Sequence, residues 1–322
     1  MRKLLFFLAL VLVLPSAASA GRKDTTLSVI GYSIPTAVFP KLFSAYQATS
    51  QGQGVKFTSS FAASEVQSKA VAAGLPADVV NFSISTDMDR LVQSGQVSKS
   101  WDANPYHGIV SKSVVVFVLR NGNPKHIKTW DDLTKPGVQV VAANPFTSGG
   151  ARWNVLAAYG SQLREGKKPG AATGYLLKLF QHVVSQDSSG RNALNTFLSG
   201  KGDVLLTYEN EAKLAQAQGK PVFYVIPKAT IRIENPVAVT TDASDPAAAK
   251  AFVAFLHTPA AQKIYGQNGY RPVDQEVVRQ FNYPVRPWLF TIQRFGGWAR
   301  VQKQFFDPKT GIVTRIEQSL GH

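Results

Sequence analysis

Three features of the sequence predict an α/β fold with mixed, mainly parallel sheets. Short apolar runs bounded by turn residues alternate along the chain with stretches whose apolar residues recur at helical spacing. The chain has 322 residues, about twice a typical single domain, so it can build two globular units. Neither an internal repeat nor a low-complexity linker interrupts the alternation.

The first twenty residues form a separate object. Arg2 and Lys3 precede an apolar run from Leu4 to Leu14, and Ala18-Ser19-Ala20 offers the small residues at which a signal peptidase cuts. The run is too short for a stable membrane span, so residues 1–20 are predicted to be a cleaved signal peptide and the protein to be exported.

Strands are then expected at Leu27–Tyr32, Val55–Phe61, Asp78–Ser83, Ser113–Leu119, Gln139–Ala143, His182–Gln186, Asp203–Tyr208, Val222–Pro227 and Pro236–Thr240. Each is a β-branched or aromatic run closed by a turn residue. The helical pattern Thr36–Gln47 carries Phe39, Leu42, Phe43 and Tyr46 on one stripe, with Pro40 awkwardly inside it. Further helices are expected at Glu65–Ala73, Asp87–Gln93, Gly149–Tyr159, Gly174–Phe180, Arg191–Leu198, Glu209–Ala217, Pro246–Leu256 and Pro259–Tyr265. Gly160 is expected to close its helix, and residues 166–174 to form a loop.

Composition narrows the chemistry. Hydrophobic residues make up 44% and charged residues 17%, too apolar for a disordered chain. With no cysteine there is no disulfide framework, thiolate metal site, cysteine nucleophile or lipoprotein anchor. The five histidines are scattered, so no cofactor or metal is expected. A net charge of +15 is spread along the chain, and this reads as a solvated basic surface. Trp288, Phe290, Arg294, Phe295, Trp298, Arg300 and Lys303 could form a stacking surface for nucleic acid, but their near-helical spacing favours core packing.

Four strand-to-helix junctions share one design, an apolar strand followed by serine or glycine and then a helix. They lie at Ser33, at Ser64, at Ser148-Gly149-Gly150 and at Ser188-Ser189-Gly190. The first turn of a helix leaves its amides unpaired and carries about half a positive charge, so each junction can hold an oxyanion. Each serine can equally cap its own helix, and Ser64 with Gln67 has capping-box spacing. Arg152 is placed either on the anion itself or behind it, held there by Glu209 or Glu211. A Ser148 or Ser64 hydrolase is the alternative from another class. However, no GxSxG elbow occurs and no histidine is marked as a base. Walker and GxGxxG loops are also missing.

The stretches NGNPKHIKTWDDLTKPGVQVV (121–141), NPFTSGGARWNVLAAYG (144–160), GDVLLTYENEA (202–212), the Tyr270-Arg271-Pro272 turn and FGGWARVQKQFF (295–306) resemble the periplasmic sulfate-binding proteins of ABC transporters, a family that also handles thiosulfate. The likeness runs from about Thr26 to Ile316. It implies a two-lobed type II periplasmic-binding-protein fold, with residues 21–114 plus 234–322 as one lobe and 115–233 as the other. It further implies a non-enzymatic, monomeric, periplasmic receptor that has no cofactor, binds no nucleic acid and passes sulfate or thiosulfate to a membrane permease. Molybdate is a further tetrahedral candidate. By resemblance the ligand-binding residues are Ser33, Ser64, Ser148, Gly149, Gly150, Gly190 and Tyr208, supported from behind by Arg152, Arg191 and Glu209. Two departures stand out. The family's Tyr-Asp-Pro turn is Tyr32-Ser33-Ile34-Pro35 here, and Tyr208 stands where better-known members have a donating tryptophan. A donor-only pocket suits sulfate and rejects a protonated phosphate, whereas a phenol can also accept.

Overall fold

The computed structural model describes residues 24–284 and 286–321, and the predicted leader lies outside the described residues. Ten strands are formed among the described residues: β1 (Thr25–Tyr32), β2 (Val55–Ala62), β3 (Val79–Asn81), β4 (Ile109–Arg120), β5 (Val140–Ala143), β6 (Val183–Asp187), β7 (Val204–Tyr208), β8 (Val222–Val225), β9 (Ala229–Val239) and β10 (Trp288–Phe290). Their order is β2-β1-β3-β9-β4-β7-β5-β6, with β10 beside β9 and β8 beside β4. Pairing is parallel within β2-β1-β3, within β7-β5-β6 and between β9 and β10. It is antiparallel where β9 meets β3 and where β4 meets β7, β8 and β9. Two parallel halves are therefore tied together by the long pair β4–β9.

Each parallel strand leads into a helix, as crossover connections require. Phe39–Gln47 follows β1, Ser64–Ala72 follows β2 and Ser85–Gln93 follows β3. In the other half, Gly149–Arg164 follows β5, Gly190–Leu198 follows β6 and Glu209–Ala217 follows β7. This arrangement puts all the helix N-termini at the carboxyl edges of the strands. β4 reads IVSKSVVVFVLR and is buried almost throughout, as expected of a β-branched strand covered on both faces.

Several boundaries differ from the sequence expectation. Pro40 splits the predicted Thr36–Gln47 helix: a 3-10 turn covers Ile34–Ala37, and a new helix starts at Phe39 with the proline in its first turn, where a missing N–H costs nothing. Pro236–Thr240 is only the end of β9, which runs from Ala229. Part of the expected 166–174 loop is helical, because Pro169 opens the helix Pro169–Gln181.

Gly160 does not close its helix, which continues to Arg164. It is a packing glycine: a Cβ there would fall 2.4 Å from the Phe290 ring and 2.9 Å from Phe295. Gly160→Ala is expected to cost about 1–3 kcal/mol through overpacking, read as a lower urea midpoint; an unchanged midpoint would show that the two rings yield freely.

The main core crosses both halves and includes Val29, Phe39, Phe117, Trp130, Trp153, Tyr265 and Phe305. Phe290, Phe295 and Trp298 of the C-terminal segment are buried in it, and Trp298 meets Trp153 edge-on at 4.6 Å. These aromatics are core residues.

Candidate anion-binding site

The four junctions meet in two cross-connected pairs. At the first, the Arg191 N–H donates to Ser33 Oγ at 3.3 Å, and a Cβ on Gly190 would lie 3.0 Å from Ile34 Cδ1. At the second, the Glu65 N–H donates to the Thr147 carbonyl at 3.2 Å. Ser83, just beyond β3, joins the second pair to Tyr208. Its N–H donates to Ser64 Oγ (3.0 Å), and its carbonyl accepts from Trp153 Nε1 (2.9 Å) and Asn235 Nδ2 (3.3 Å). Its hydroxyl shares a 2.6 Å hydrogen bond with the Tyr208 hydroxyl. A Cβ on Gly149 would fall 2.7 Å from Ser83 Cβ, and one on Gly150 would fall 3.4 Å from Tyr208 Cε1.

Ser33, Ser64, Ser148, Gly149, Gly150, Gly190 and Tyr208 are all buried. Among the described residues, no acceptor reaches the backbone N–H of Ser33, Ser64, Gly149, Gly150 or Gly190. Buried amides are seldom left in this state, because an unpaired one forfeits a hydrogen bond's worth of free energy. Three of the helices behind them add their dipoles.

The serine hydroxyls have separate duties. Ser148 caps its helix by accepting from the Ala151 N–H, as Ser189 does from Asn192. The capping box expected at Ser64 is not formed. Ala63 is the N-cap, Gln67 turns to Ser60, and Ser64 Oγ donates to Asp87 at 2.6 Å. Burial raises the Asp87 carboxyl above its ordinary value, opposed by the Ser64 bond and by Arg152 and Arg90.

Arginines stand behind the amides. Arg152 is not held by Glu209 or Glu211, since its carboxylate partner is Glu65 on the helix Ser64–Ala72. It also donates to the Pro145 carbonyl and to Gln302, and these contacts keep it off the unpaired amides. Arg191 donates to Glu211 and to the Ile34 carbonyl, both at 2.7 Å. Burial pushes Glu211 up to about 7 against the pull of Arg191. Glu209, the first residue of the helix after β7, is buried and accepts from Arg271 at 2.8 Å.

Ser83, Glu65, Asp87 and Asn235 escaped the sequence reading. Ser83 stood there only as the end of an expected strand, and Glu65 and Asp87 only as the first residues of expected helices, with no role at the site.

Residues 27–271 match the model of the bacterial extracellular solute-binding protein family. A sulfate-binding protein of Synechococcus elongatus is 37% identical over 95% of this chain and 90% of its own length. A thiosulfate-binding protein of Pseudomonas aeruginosa is 36% identical over 82% of this chain and 83% of its own. The solved structure of the sulfate-binding protein SubI from Mycobacterium tuberculosis superposes with a TM-score of 0.86 at 44% identity, covering 88% of this chain and all of that one. The fold is thus a type II periplasmic-binding-protein fold, and the chain belongs to the bacterial extracellular solute-binding proteins, among their sulfate- and thiosulfate-binding members.

Proposed function

We propose that the protein is an exported receptor that closes its two lobes around sulfate and delivers it to an ABC permease in the membrane. The observation that carries this reading is the set of buried, unpaired amides at Ser33, Ser64, Gly149, Gly150 and Gly190, drawn from both halves of the sheet. Sulfate at neutral pH only accepts hydrogen bonds, so converging N–H groups can satisfy its oxygens with no side-chain cation in contact. The helix dipoles contribute fixed positive ends that need no reorganisation. Because the donors belong to two bodies, lobe separation dismantles the site and releases the anion.

The receptor works as a monomer in the periplasm. Among the described residues no helix is long and apolar enough to cross a membrane. The reading is also non-enzymatic: Ser148 Oγ serves as a cap, and the imidazoles of His182 and His257 face main-chain carbonyls. Titration calorimetry should give one-to-one sulfate binding at about micromolar Kd or tighter, with thiosulfate and molybdate as competitors that rank the tetrahedral anions. Absence of sulfate binding, or an esterase activity abolished by Ser148→Ala, would overturn the reading.

A further inference from the structure

We infer that the cleft between β6 and the last helix, Ile312–Leu320, is a second binding site, and that it takes a small organic cation with N–H donors on an apolar stem, an alkylguanidinium best of all.

The cleft has a volume of about 570 Å³, within the range of small-molecule sites, and none of the residues assigned to the anion site lines it. One wall is β6, the last strand in the sheet order, and the other is the last helix. Glu317 stands on this helix and lines the cleft. It is 7% exposed, and its partner is the Gln186 side chain, whose Nε2 donates to Glu317 Oε2 at 3.2 Å. Among the described residues, nothing donates to Oε1. The chain has seven glutamates, and each of the other six is ion-paired with a lysine or arginine. Glu317 is therefore a buried carboxylate without a described cation in a protein of net charge +15. Burial makes such a charge costly until a partner compensates it.

Gln186 calls for the same chemistry. Its N–H is spent on Glu317, which fixes the amide with Oε1 as its other end, and no described donor reaches that oxygen. The atoms left unmatched, Glu317 Oε1 and Gln186 Oε1, are both acceptors. The charges nearby in the chain do not fill the need: Asp187, at the end of β6, accepts from Ser185 and Thr196, and Arg315, on the same helix as Glu317, donates to the Thr310 carbonyl. A planar guanidinium presents several N–H groups at fixed angles, so it can serve a carboxylate and an amide oxygen together. Phe146, Val183, Val184 and Pro308 give the cleft apolar surface for the stem. A divalent metal ion is less well served, since among the described residues no three carboxylate or histidine side chains gather to hold one.

The test is titration calorimetry with n-butylguanidinium chloride, set beside tetramethylammonium, a cation without N–H groups, and n-butylurea, a neutral donor. The wild-type protein is expected to bind n-butylguanidinium one-to-one at about millimolar Kd or tighter, and the two comparison compounds at least about tenfold more weakly. Glu317→Gln keeps the shape and removes the charge, so it should lower n-butylguanidinium affinity by about tenfold or more. Its urea midpoint should match or exceed the wild-type value, because an uncompensated buried charge has gone. Val184→Arg hangs a guanidinium from the exposed rim of the cleft and should block the added cation while leaving the Glu317 carboxylate in place. A wild-type protein that ignores n-butylguanidinium, an unchanged affinity in either variant, or tetramethylammonium bound as tightly would each overturn the inference.

Discussion

Gly149→Ala is expected to abolish sulfate capture while leaving a folded protein. A Cβ at this position falls 2.7 Å from Ser83 Cβ and 3.2 Å from Ile84 Cγ1, so the obstacles lie next to the main chain of the other half of the sheet and cannot swing aside. The added methyl group acts as a wedge between the lobes. It is harmless when they are apart and forbidding when they close. The amides of Gly149 and Gly150 then stand too far out to reach an anion held by Ser64. Hydrogen bonds to a charged group contribute about 1.5–3 kcal/mol each, so losing two lowers affinity by at least about a hundredfold. Calorimetry gives the affinity, and a urea midpoint close to that of the unsubstituted protein shows that the effect is on closure. Retention of sulfate affinity would remove Gly149 from the site.

Arg152→Met is expected to reduce both stability and binding. The guanidinium is buried and spends its donors on Pro145, Gln302 and Glu65, with the Phe306 ring 5.2 Å beneath it. Methionine keeps much of the packing but leaves Glu65 with only Lys69 and the more distant Arg90. Breaking a buried ion pair typically costs 3–5 kcal/mol; the remaining cations place this one near the lower end, at about 3 kcal/mol. Sulfate affinity should fall by about tenfold, because removing the buried guanidinium leaves the Glu65 and Asp87 carboxylates less fully compensated beside the incoming anion. Adding Glu65→Gln should restore part of both losses, giving a measurable coupling in a double-mutant cycle. Full affinity and stability in Arg152→Met would mean that the arginine neither contacts nor supports the site.

The junction glycines and serines were legible in the sequence because their chemistry is local. A helix that opens on Ser-Gly-Gly declares its free amides without reference to anything distant. What surrounds them was not legible. Glu65 and Arg152 are 87 positions apart, and nothing in the sequence set Glu65 above Glu209 or Glu211 as the partner of Arg152. Ser83 follows a three-residue strand and carries no glycine, proline or charge to mark it, so its role in joining the second pair to Tyr208 arises only when β3 is laid beside β9. Gly160 misled for the same reason. Its need for glycine comes from Phe290, which is distant in sequence, and no helix rule refers to such a neighbour.

The sheet order has a consequence for the newborn chain. From β4 to β8 the strands follow one another in sequence and pair mainly among themselves, so this stretch has almost everything it needs as soon as it is made. β1, β2 and β3 are synthesised earlier, yet one side of β3 stays bare until Val237–Val239 arrive. The oldest part of the polypeptide is therefore the last to be completed, and meanwhile it shows an open strand edge of the kind that invites wrong partners. The strand that covers this edge is the same one that ties the halves together, so the molecule has no cleft until its vulnerable edge has been sealed.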